Sequence, residues 1–374
     1  MMELKFFNIE DKEIKNKLKQ NIIINKKLYL EINDLKMQIN DIIFDKWKII
    51  RSISTDYEII GNNRIHNIYK LKRFNIISRA YYKLWEILKK YETSFELWKK
   101  SQMNIACLAE APGGFVQALN HYRHNFYNDK ITTISLYENN ENIKWGLKDN
   151  KYQIIYGDPQ KNHDGNLYNP EIIEYFIKAH KKKLDLITAD GGILLTDYKE
   201  NYKSQYHLQL FLCELYISLK LLKDNGIFIL KVYELCSQNM IDLMIIINKL
   251  YKKVNILKPK TSREMNNEKY IICHELNPKQ EKLINEIREI IIDLWKNKKK
   301  MIKNFLTNKE RMKNQKLIKI IEIIEKRNLK KQKQKLEIAL NYKNKTKDEL
   351  KALLKEKQPM HIHMAHKWYN ENQY

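Results

Sequence analysis

Cysteine is scarce in this chain of 374 residues. The four cysteines are widely spaced, and none forms a Cys-x-x-Cys pair, so the sequence predicts neither a zinc knuckle nor a disulfide framework and fits a reducing compartment. They are Cys107, Cys213, Cys236 and Cys273.

Long apolar runs are also missing. The N-terminus carries charges where a signal peptide has its apolar core, and no run approaches the roughly 20 residues that span a bilayer. We therefore expect an intracellular protein with no membrane partner.

Glycine is rare too, and its distribution divides the chain. Eight of the nine glycines lie between Gly113 and Gly226, and none follows Gly226. Because tight turns between strands and helices need glycine, we expect the turn-rich part of the fold in the middle of the chain.

In that middle part, short apolar runs alternate with helical patterns. The candidate strands are residues 104–109, 131–136, 153–156, 184–189 and 226–232, with helices at 170–180 and 202–222. Such alternation predicts an α/β fold, a doubly wound, Rossmann-like and mostly parallel sheet. Two further runs, 254–258 and 270–276, have no helix between them and predict an antiparallel hairpin that completes a seven-stranded sheet.

The two ends of the chain are helical in pattern and carry no chemical motif. We therefore predict a helical N-terminal extension over residues 1–65, a central domain over 66–277 and a basic helical region over 278–374. The last region has 26 Lys and Arg residues against 12 Asp and Glu residues, which is +14 of the formal net charge of +24. A charge of this sign suits an RNA partner. It also fits a helical cap with a solvated basic face, and we expect a mixture of the two.

The sharpest local motif is Cys-Leu-Ala-Glu-Ala-Pro-Gly-Gly-Phe-Val-Gln at residues 107–117. It ends a predicted strand and opens a helix, where paired glycines let the backbone approach a ligand and the first helical N–H groups are free. The motif is neither G-x-G-x-x-G nor a P-loop, which argues against NAD and against a nucleoside triphosphate. A plain structural turn remains the alternative. The candidate cofactor-binding residues are Glu110, Ala111, Pro112, Gly113, Gly114 and Phe115.

Asp158 is a further candidate for cofactor binding. It follows the third predicted strand in Tyr-Gly-Asp, where its carboxylate could accept a hydrogen bond from an adenine amino group. A simple turn explains Gly157 and Asp158 equally well. Glu138, after the second strand, could meet a ribose hydroxyl, but a surface glutamate is the better interpretation.

Five stretches of the chain resemble the FtsJ-like, or RrmJ-like, RNA ribose 2′-O-methyltransferases, and span about 78–276. The first is Ser-Arg-Ala-Tyr-Tyr-Lys-Leu-Trp-Glu, with Lys83; the second is the motif at 107–117. The third and fourth are Leu-Asp-Leu-Ile-Thr-Ala-Asp-Gly-Gly, with Asp190, and Gly-Ile-Phe-Ile-Leu-Lys, with Lys231. The fifth, Lys-Pro-Lys-Thr-Ser-Arg followed by Asn-Glu-Lys-Tyr, contains Glu268.

This resemblance implies S-adenosyl-L-methionine as the cofactor, no metal, and a catalytic tetrad of Lys83, Asp190, Lys231 and Glu268. Asp190 also counts among the cofactor-binding residues. Strand geometry supports part of the tetrad independently, because Asp190 and Lys231 each end a predicted strand at the carboxyl edge, where α/β sheets bind ligands. Glu268 begins an antiparallel strand and should lie at the same edge.

The chemistry also needs these residue types. A ribose 2′-hydroxyl is a poor nucleophile, and a lysine at its usual pKa of about 10.4 is a poor base. A second cation and burial lower a lysine's pKa, whereas carboxylates raise it. We expect Lys231 to steer and deprotonate the hydroxyl, Lys83 and Asp190 to tune and position it, and Glu268 to anchor the lysines. A buried salt-bridge network without catalysis is the alternative.

The branch of the family that acts on the messenger-RNA cap, in eukaryotes and large DNA viruses, is the most similar. The Glu-Ala-Pro-Gly-Gly form and Ala-Asp-Gly-Gly favour it over the bacterial ribosomal-RNA branch, although Asn166 stands where an acid is expected. The resemblance implies capped messenger RNA as the partner, together with a capping or transcription complex, in the cytoplasm or at a viral replication site, with the nucleus still open. The alternatives are the same reaction on ribosomal or transfer RNA, and a non-catalytic RNA-binding subunit of a capping complex.

Three histidines near the C-terminus, His361, His363 and His366, suggest a metal site only weakly. No carboxylate or cysteine stands at a helical ligand spacing from them. We instead predict a terminal helix that returns to the core, with Trp368 packed inside.

Overall fold

The computed structural model describes residues 5–8, 21–60, 75–96, 99–123, 128–137, 145–146, 152–192, 203–277, 280–297 and 300–373. The strands are β1 Lys5–Asn8, β2 Asn104–Leu108, β3 Lys130–Ile134, β4 Tyr152–Ile154, β5 Leu184–Ala189, β6 Leu222–Val232, β7 Tyr251–Leu257, β8 Lys269–Leu276 and β9 Lys300–Asn304. The helices are α1 Lys26–Asn40, α2 Phe44–Ser54, α3 Ala80–Lys90, α4 Glu92–Phe95, α5 Gly114–Tyr122, α6 Pro170–Ala179, α7 Lys203–Leu221, α8 Gln238–Leu250, α9 Glu281–Lys296, α10 Asn308–Lys313, α11 Gln315–Leu340 and α12 Lys347–Glu371.

A seven-stranded sheet with the order β4-β3-β2-β5-β6-β8-β7 forms the centre of the protein. The first five strands are parallel, whereas β8 runs antiparallel to both β6 and β7. The predicted α/β fold with a closing hairpin is therefore confirmed. All six residues of β5 are buried, as expected of a strand whose sheet is covered by helices on both faces.

A second, two-stranded sheet was not predicted from the sequence. β1 and β9 pair antiparallel, which joins the first described residues to the C-terminal region. Both strands lie where we expected only helix. Segments of four and five residues are too short to show the alternation that identifies a strand.

The helices of the two ends pack against each other. Lys333 on α11 lies 2.8 Å from Glu31 on α1, and Lys335 lies 2.6 Å from Asp56 just beyond α2. The buried residues of α11 recur every three or four positions, as in an amphipathic helix. The predicted boundary between residues 65 and 66 falls outside the described residues, as does residue 278 at the other boundary.

The terminal helix α12 returns to the core, as predicted. Trp368 is fully buried, and its ring nitrogen donates a hydrogen bond of 3.1 Å to Glu86 Oε2 on α3. α12 begins with a capping box, in which Thr346 and Glu349 bond each other's backbone N–H groups. In the part of the chain that the structure describes, no helix is both long and apolar enough to cross a bilayer.

Candidate active site

The carboxyl ends of β5 and β6 bring Asp190 and Lys231 together. Ala189 and Leu230 are register partners in these parallel strands, so the residues that follow them emerge side by side. Lys231 Nζ donates a hydrogen bond of 2.5 Å to the Asp190 carbonyl oxygen and lies 3.2 Å from Asp190 Oδ1. Both side chains are largely buried, which strengthens the attraction between their charges.

Lys83 and Glu268 form the second ion pair of the site. Lys83 projects from α3, and its Nζ lies 2.8 Å from Glu268 Oε1 and 2.9 Å from Oε2. Glu268 immediately precedes β8, at the carboxyl edge of the neighbouring strand β6, because β8 runs antiparallel. The Ser262 hydroxyl donates a further hydrogen bond of 2.8 Å to Glu268 Oε1. The structure thus places all four predicted catalytic residues at one edge of the sheet, in two ion pairs.

Tyr270 and Tyr233 complete the site, and the sequence motifs predict a role for neither. The Tyr270 hydroxyl donates a hydrogen bond of 2.7 Å to Asp190 Oδ1. Lys231 Nζ lies 5.9 Å from the centre of the Tyr233 ring, which stacks on His207 with 4.3 Å between ring centres. Each tyrosine stands two residues after a predicted catalytic residue in or beside a strand. The period of two therefore offered a signal for both.

The charges of the site shift the pKa of Lys231 in the direction opposite to the one a base needs. Burial opposes the ammonium form, but the nearby carboxylates of Asp190 and Glu268 and the Tyr233 hydroxyl outweigh it, so the pKa of Lys231 rises above its usual value. The raised pKa favours the ammonium form of Lys231, which is a hydrogen-bond donor. The role of Lys231 as the group that deprotonates the hydroxyl stays a prediction.

Glu268 is held in its ionised form. Burial favours the neutral acid, yet the charges of Lys83 and Lys231 and the hydrogen bonds from Lys83 and Ser262 prevail, lowering the pKa of Glu268 to about 2. Because both lysines act on this carboxylate, the two ion pairs form one electrostatic unit.

Glu110 caps the helix that follows the motif at 107–117. Its Oε1 accepts hydrogen bonds from the N–H groups of Phe115, at 2.5 Å, and Val116, at 3.4 Å. These amides were expected to be free for a ligand, but the chain's own carboxyl group uses them. Burial and the charge of Asp190 raise the pKa of Glu110 well above its usual range. Glu110 Oε2 is buried and has no hydrogen-bond partner among the described residues.

Gly113 and Gly114 are required for different structural reasons. Gly113 adopts a positive φ of 109°, which the turn into α5 requires. A Cβ on Gly114 would lie 2.3 Å from Ser78 Oγ and 3.0 Å from Ala80 Cβ. The start of α3, which carries Lys83, therefore approaches Gly114 closely, and the contact of Gly114 with a cofactor stays a prediction. Ala111 and Pro112 form the turn before it, and Phe115 is fully buried.

Asp158 lies at the same edge of the sheet, beyond β4. It is half-buried, and its Oδ1 accepts a hydrogen bond of 3.0 Å from Gln160 N, while its own N–H donates to His163 Nδ1. The carboxylate thus begins a short 3₁₀ turn, Pro159–Lys161. Its contact with adenine stays a prediction. Glu138 lies outside the described residues.

Space beside Lys231 and the unused acceptor on Glu110 fit the cofactor that the sequence implies. A Cβ on Gly192 would stand 3.3 Å from the Tyr233 hydroxyl and 3.6 Å from Lys231 Nζ, so the missing side chain leaves room next to the ammonium. The unpartnered Glu110 oxygen could accept a hydrogen bond from the ammonium group of S-adenosyl-L-methionine. No group of three or more metal-ligating side chains occurs among the described residues.

Comparison of the sequence with known proteins identifies the family to which this fold and site belong. The sequence profile of the FtsJ-like methyltransferases matches residues 76–276, which is more than half of the chain. A cap-specific mRNA (nucleoside-2′-O-)-methyltransferase 2 from Drosophila melanogaster is 27% identical over 275 residues, which cover 69% of this chain and 38% of that protein. The mouse protein of the same name is 27% identical over 65% of this chain and 32% of its own length. This chain thus matches only about a third of the length of these relatives.

Among solved structures, a protein described as a ribosomal RNA methyltransferase from Plasmodium falciparum is similar over 53% of this chain and 97% of its own. It is 24% identical, and the TM-score is 0.40.

Proposed function

Because the chain belongs to the FtsJ-like methyltransferase family, we propose that it transfers a methyl group from S-adenosyl-L-methionine to a ribose 2′-hydroxyl of RNA. The observation that carries this proposal is the convergence of Lys83, Asp190, Lys231 and Glu268 at one edge of the sheet, in two ion pairs of 2.8 and 3.2 Å. A methyl acceptor that is a poor nucleophile needs such an arrangement of donors and acceptors around its oxygen.

S-adenosyl-L-methionine supplies the methyl group on a positively charged sulfur, which keeps the bonding electron pair when the methyl carbon leaves. We assign its binding to Asp158 and to the turn from Glu110 to Gly114, together with the space at Gly192. Phe115 is fully buried and Gly114 contacts α3, so these two residues shape the turn from inside.

In the proposed mechanism, Lys231 orients the ribose hydroxyl group and Asp190 accepts its proton. The Lys231 ammonium donates a hydrogen bond to the 2′ oxygen and aims a lone pair at the methyl carbon. As the oxygen–carbon bond forms, the hydroxyl proton becomes strongly acidic, so a carboxylate suffices to accept it. Asp190 takes this proton and later releases it to solvent. Lys83 and Glu268 hold the position and charge of Lys231.

Capped messenger RNA is the substrate that we propose. The support comes from the names of the relatives and from the Glu-Ala-Pro-Gly-Gly motif at 110–114. There are two alternatives to this substrate and function. The same tetrad could methylate ribosomal or transfer RNA, or the chain could be a non-catalytic RNA-binding subunit that has the methyltransferase fold but does not catalyse the reaction. A capping or transcription complex is the partner that this substrate suggests.

We assign RNA docking to one face of α11, which we call the basic stripe. The stripe consists of the exposed residues Lys316, Lys319, Lys326, Arg327, Lys330 and Lys331. None of the exposed residues between 316 and 331 is acidic, although Lys333 and Lys335 on the flanks of the same helix form ion pairs. The stripe extends over about 22 Å at the usual helical rise and suits a row of phosphates.

The experiment that tests this function is methyl transfer from labelled S-adenosyl-L-methionine to one RNA, prepared with and without a cap. Transfer to the capped form alone supports the full proposal. Transfer to both forms would show that the cap is not required and would favour ribosomal or transfer RNA as the substrate. Cofactor binding, measured by calorimetry, without any transfer would contradict the enzymatic function.

A further inference from the structure

Glu325 on α11 forms a fully buried ion pair with Lys269, the first residue of β8. Glu325 Oε2 lies 2.9 Å from Lys269 Nζ, and both side chains have an exposed fraction of 0%. Glu325 lies outside the part of the chain that matches the family, residues 76–276. The C-terminal region therefore places a charge inside the methyltransferase fold.

The donors around Glu325 lie beside the ends of β6 and β8, close in sequence to Lys231 and Glu268. Glu325 Oε1 accepts hydrogen bonds from Leu235 N, at 3.2 Å, and Asn267 Nδ2, at 3.0 Å. Lys269 Nζ also donates to the Tyr233 carbonyl oxygen. Leu235 follows β6, which carries Lys231, and Asn267 directly precedes Glu268. One carboxylate thus ties the segment after Lys231 to the segment around Glu268.

Two more side chains of α11 hold the loop that leads to Glu268. Gln332 Nε2 donates a hydrogen bond of 2.7 Å to the Met265 carbonyl oxygen, and Lys335 Nζ lies 3.6 Å from Glu264 Oε2. The start of this loop is held from α3, because Glu86 accepts a hydrogen bond of 2.7 Å from Lys260 N. Trp368 on α12 holds Glu86 in turn.

We propose that Glu325 is a positioning residue for the methyl-transfer reaction, holding Lys231 and Glu268 at their working separation through Lys269, Leu235 and Asn267. A buried ion pair is a poor source of stability, because desolvation of two charges offsets their attraction and apolar residues of similar size often serve as well. What the pair does supply is direction, since Glu325 Oε1 must accept hydrogen bonds from Leu235, Asn267 and Lys269 in fixed geometry. The inference rests on the proposed function and makes the C-terminal region part of the catalytic apparatus.

The test compares two variants of the full-length protein. In Glu325→Gln, the Lys269 ammonium stays buried without its carboxylate partner, which should lower thermal stability. In the double variant, Lys269→Met with Glu325→Leu, both charges are gone, so thermal stability should recover in part. The recovery is partial because Leu235 N and the Tyr233 carbonyl oxygen lose a hydrogen-bond partner. If Glu325 positions the site, kcat should fall about 10- to 100-fold in both variants, because small displacements of reacting groups are costly. KM for RNA and the affinity for S-adenosyl-L-methionine should stay within about twofold.

A matched control removes another ion pair of α11, by Lys333→Met with Glu31→Leu, and should leave kcat unchanged. Recovery of kcat together with the melting temperature in the double variant at Glu325 would overturn the proposal, because the pair would then serve the fold alone. So would wild-type kcat in Glu325→Gln.

Hydrogen exchange separates this inference from the proposed function. In the double variant we expect faster amide exchange at residues 233–236 and 260–268, with the protection of β2 and β5 unchanged. Unaltered exchange in both segments would overturn the inference even if the wild type transferred no methyl group. A wild type inactive on every RNA would count against the proposed function alone.

Discussion

Lys83 Nζ lies 2.8 Å from Glu268 Oε1, although 185 residues separate the two along the chain. The contact joins the helix before the sheet to the loop before its last strand, and both side chains are largely buried. One ion pair therefore links α3 to the loop that leads into β8.

The first prediction concerns the pH dependence of this ion pair. The pKa of Glu268 is lowered to about 2 in the folded protein, whereas an unfolded chain has a glutamate pKa of about 4.3. Because the folded value is the lower one, the pair contributes stability above about pH 4.3 and loses it as the pH falls toward 2. Glu268→Gln should cost on the order of 2–3 kcal/mol of unfolding free energy at neutral pH, and less as the pH falls below about 4. Urea titrations from pH 3 to 7 measure the difference.

Glu310→Gln is the matched control for that experiment. Glu310 is also paired with lysines, at 2.9 and 3.0 Å, but on the surface, where solvent and salt screen the attraction. Lys249 and Lys313 lower the pKa of Glu310 to about 2 as well, but solvent screens this exposed pair, so its substitution should cost much less stability than that of Glu268 at every pH. A cost of Glu268→Gln that stays constant down to pH 3 would contradict the assignment.

The second prediction distinguishes a charged Lys231 from a basic one. If the ammonium form steers the hydroxyl, kcat/KM should be flat between about pH 6.5 and 9, because the pKa of Lys231 is raised and the group stays charged. If Lys231 must lose its proton before the reaction, log kcat/KM should instead rise by about one unit per pH unit over that range. Lys231→Met should abolish transfer while cofactor binding persists; appreciable transfer by this variant would remove Lys231 from the mechanism.

The third prediction concerns the two glycines that flank the site. In Gly114→Ala the new Cβ would meet Ser78 Oγ at 2.3 Å and would push α3, with Lys83, away from α5. Overpacking of this kind costs about 1–3 kcal/mol. We expect a lower melting temperature and a loss of activity.

Gly192→Ala is the counterpart to Gly114→Ala. Its Cβ would enter the space beside Lys231 at 3.3 Å from the Tyr233 hydroxyl, a tight contact that a small movement of the Tyr233 side chain relieves. We expect an unchanged melting temperature with weaker cofactor binding or slower transfer. Equal melting temperatures for Gly114→Ala and the wild type would show that α3 does not rest on Gly114.

The sequence predicted those parts of the fold and site that follow from local pattern. The carboxyl ends of parallel strands meet at one edge, so Asp190 and Lys231 could be placed together without any knowledge of packing. The hairpin of β7 and β8 was visible because two apolar runs follow each other without a helix, and its direction then placed Glu268 at the same edge.

What the sequence left open depends on packing across long stretches of chain. Glu325 meets Lys269 only because α11 folds back onto the sheet, and no motif marks that contact. The role of Gly114 depends on where α3 comes to rest. The raised pKa of Lys231 reflects the balance between burial and nearby carboxylates, for which a sequence gives the residue types but not the distances.

The last prediction tests the basic stripe of α11. Single-stranded RNA releases counterions when phosphates are neutralised, so the logarithm of the binding constant falls with log salt concentration by about 0.7 per contact. Replacing Lys319, Lys326, Arg327 and Lys330 by glutamine should therefore weaken RNA binding, reduce that slope by up to about 3, and leave kcat at saturating RNA unchanged. The matched control, Lys351→Gln with Lys355→Gln on α12, neutralises exposed lysines among acidic residues and should alter neither quantity. An unchanged slope in the α11 variant would mean that RNA does not follow this helix. The basic face would then be the solvated surface of a helical cap.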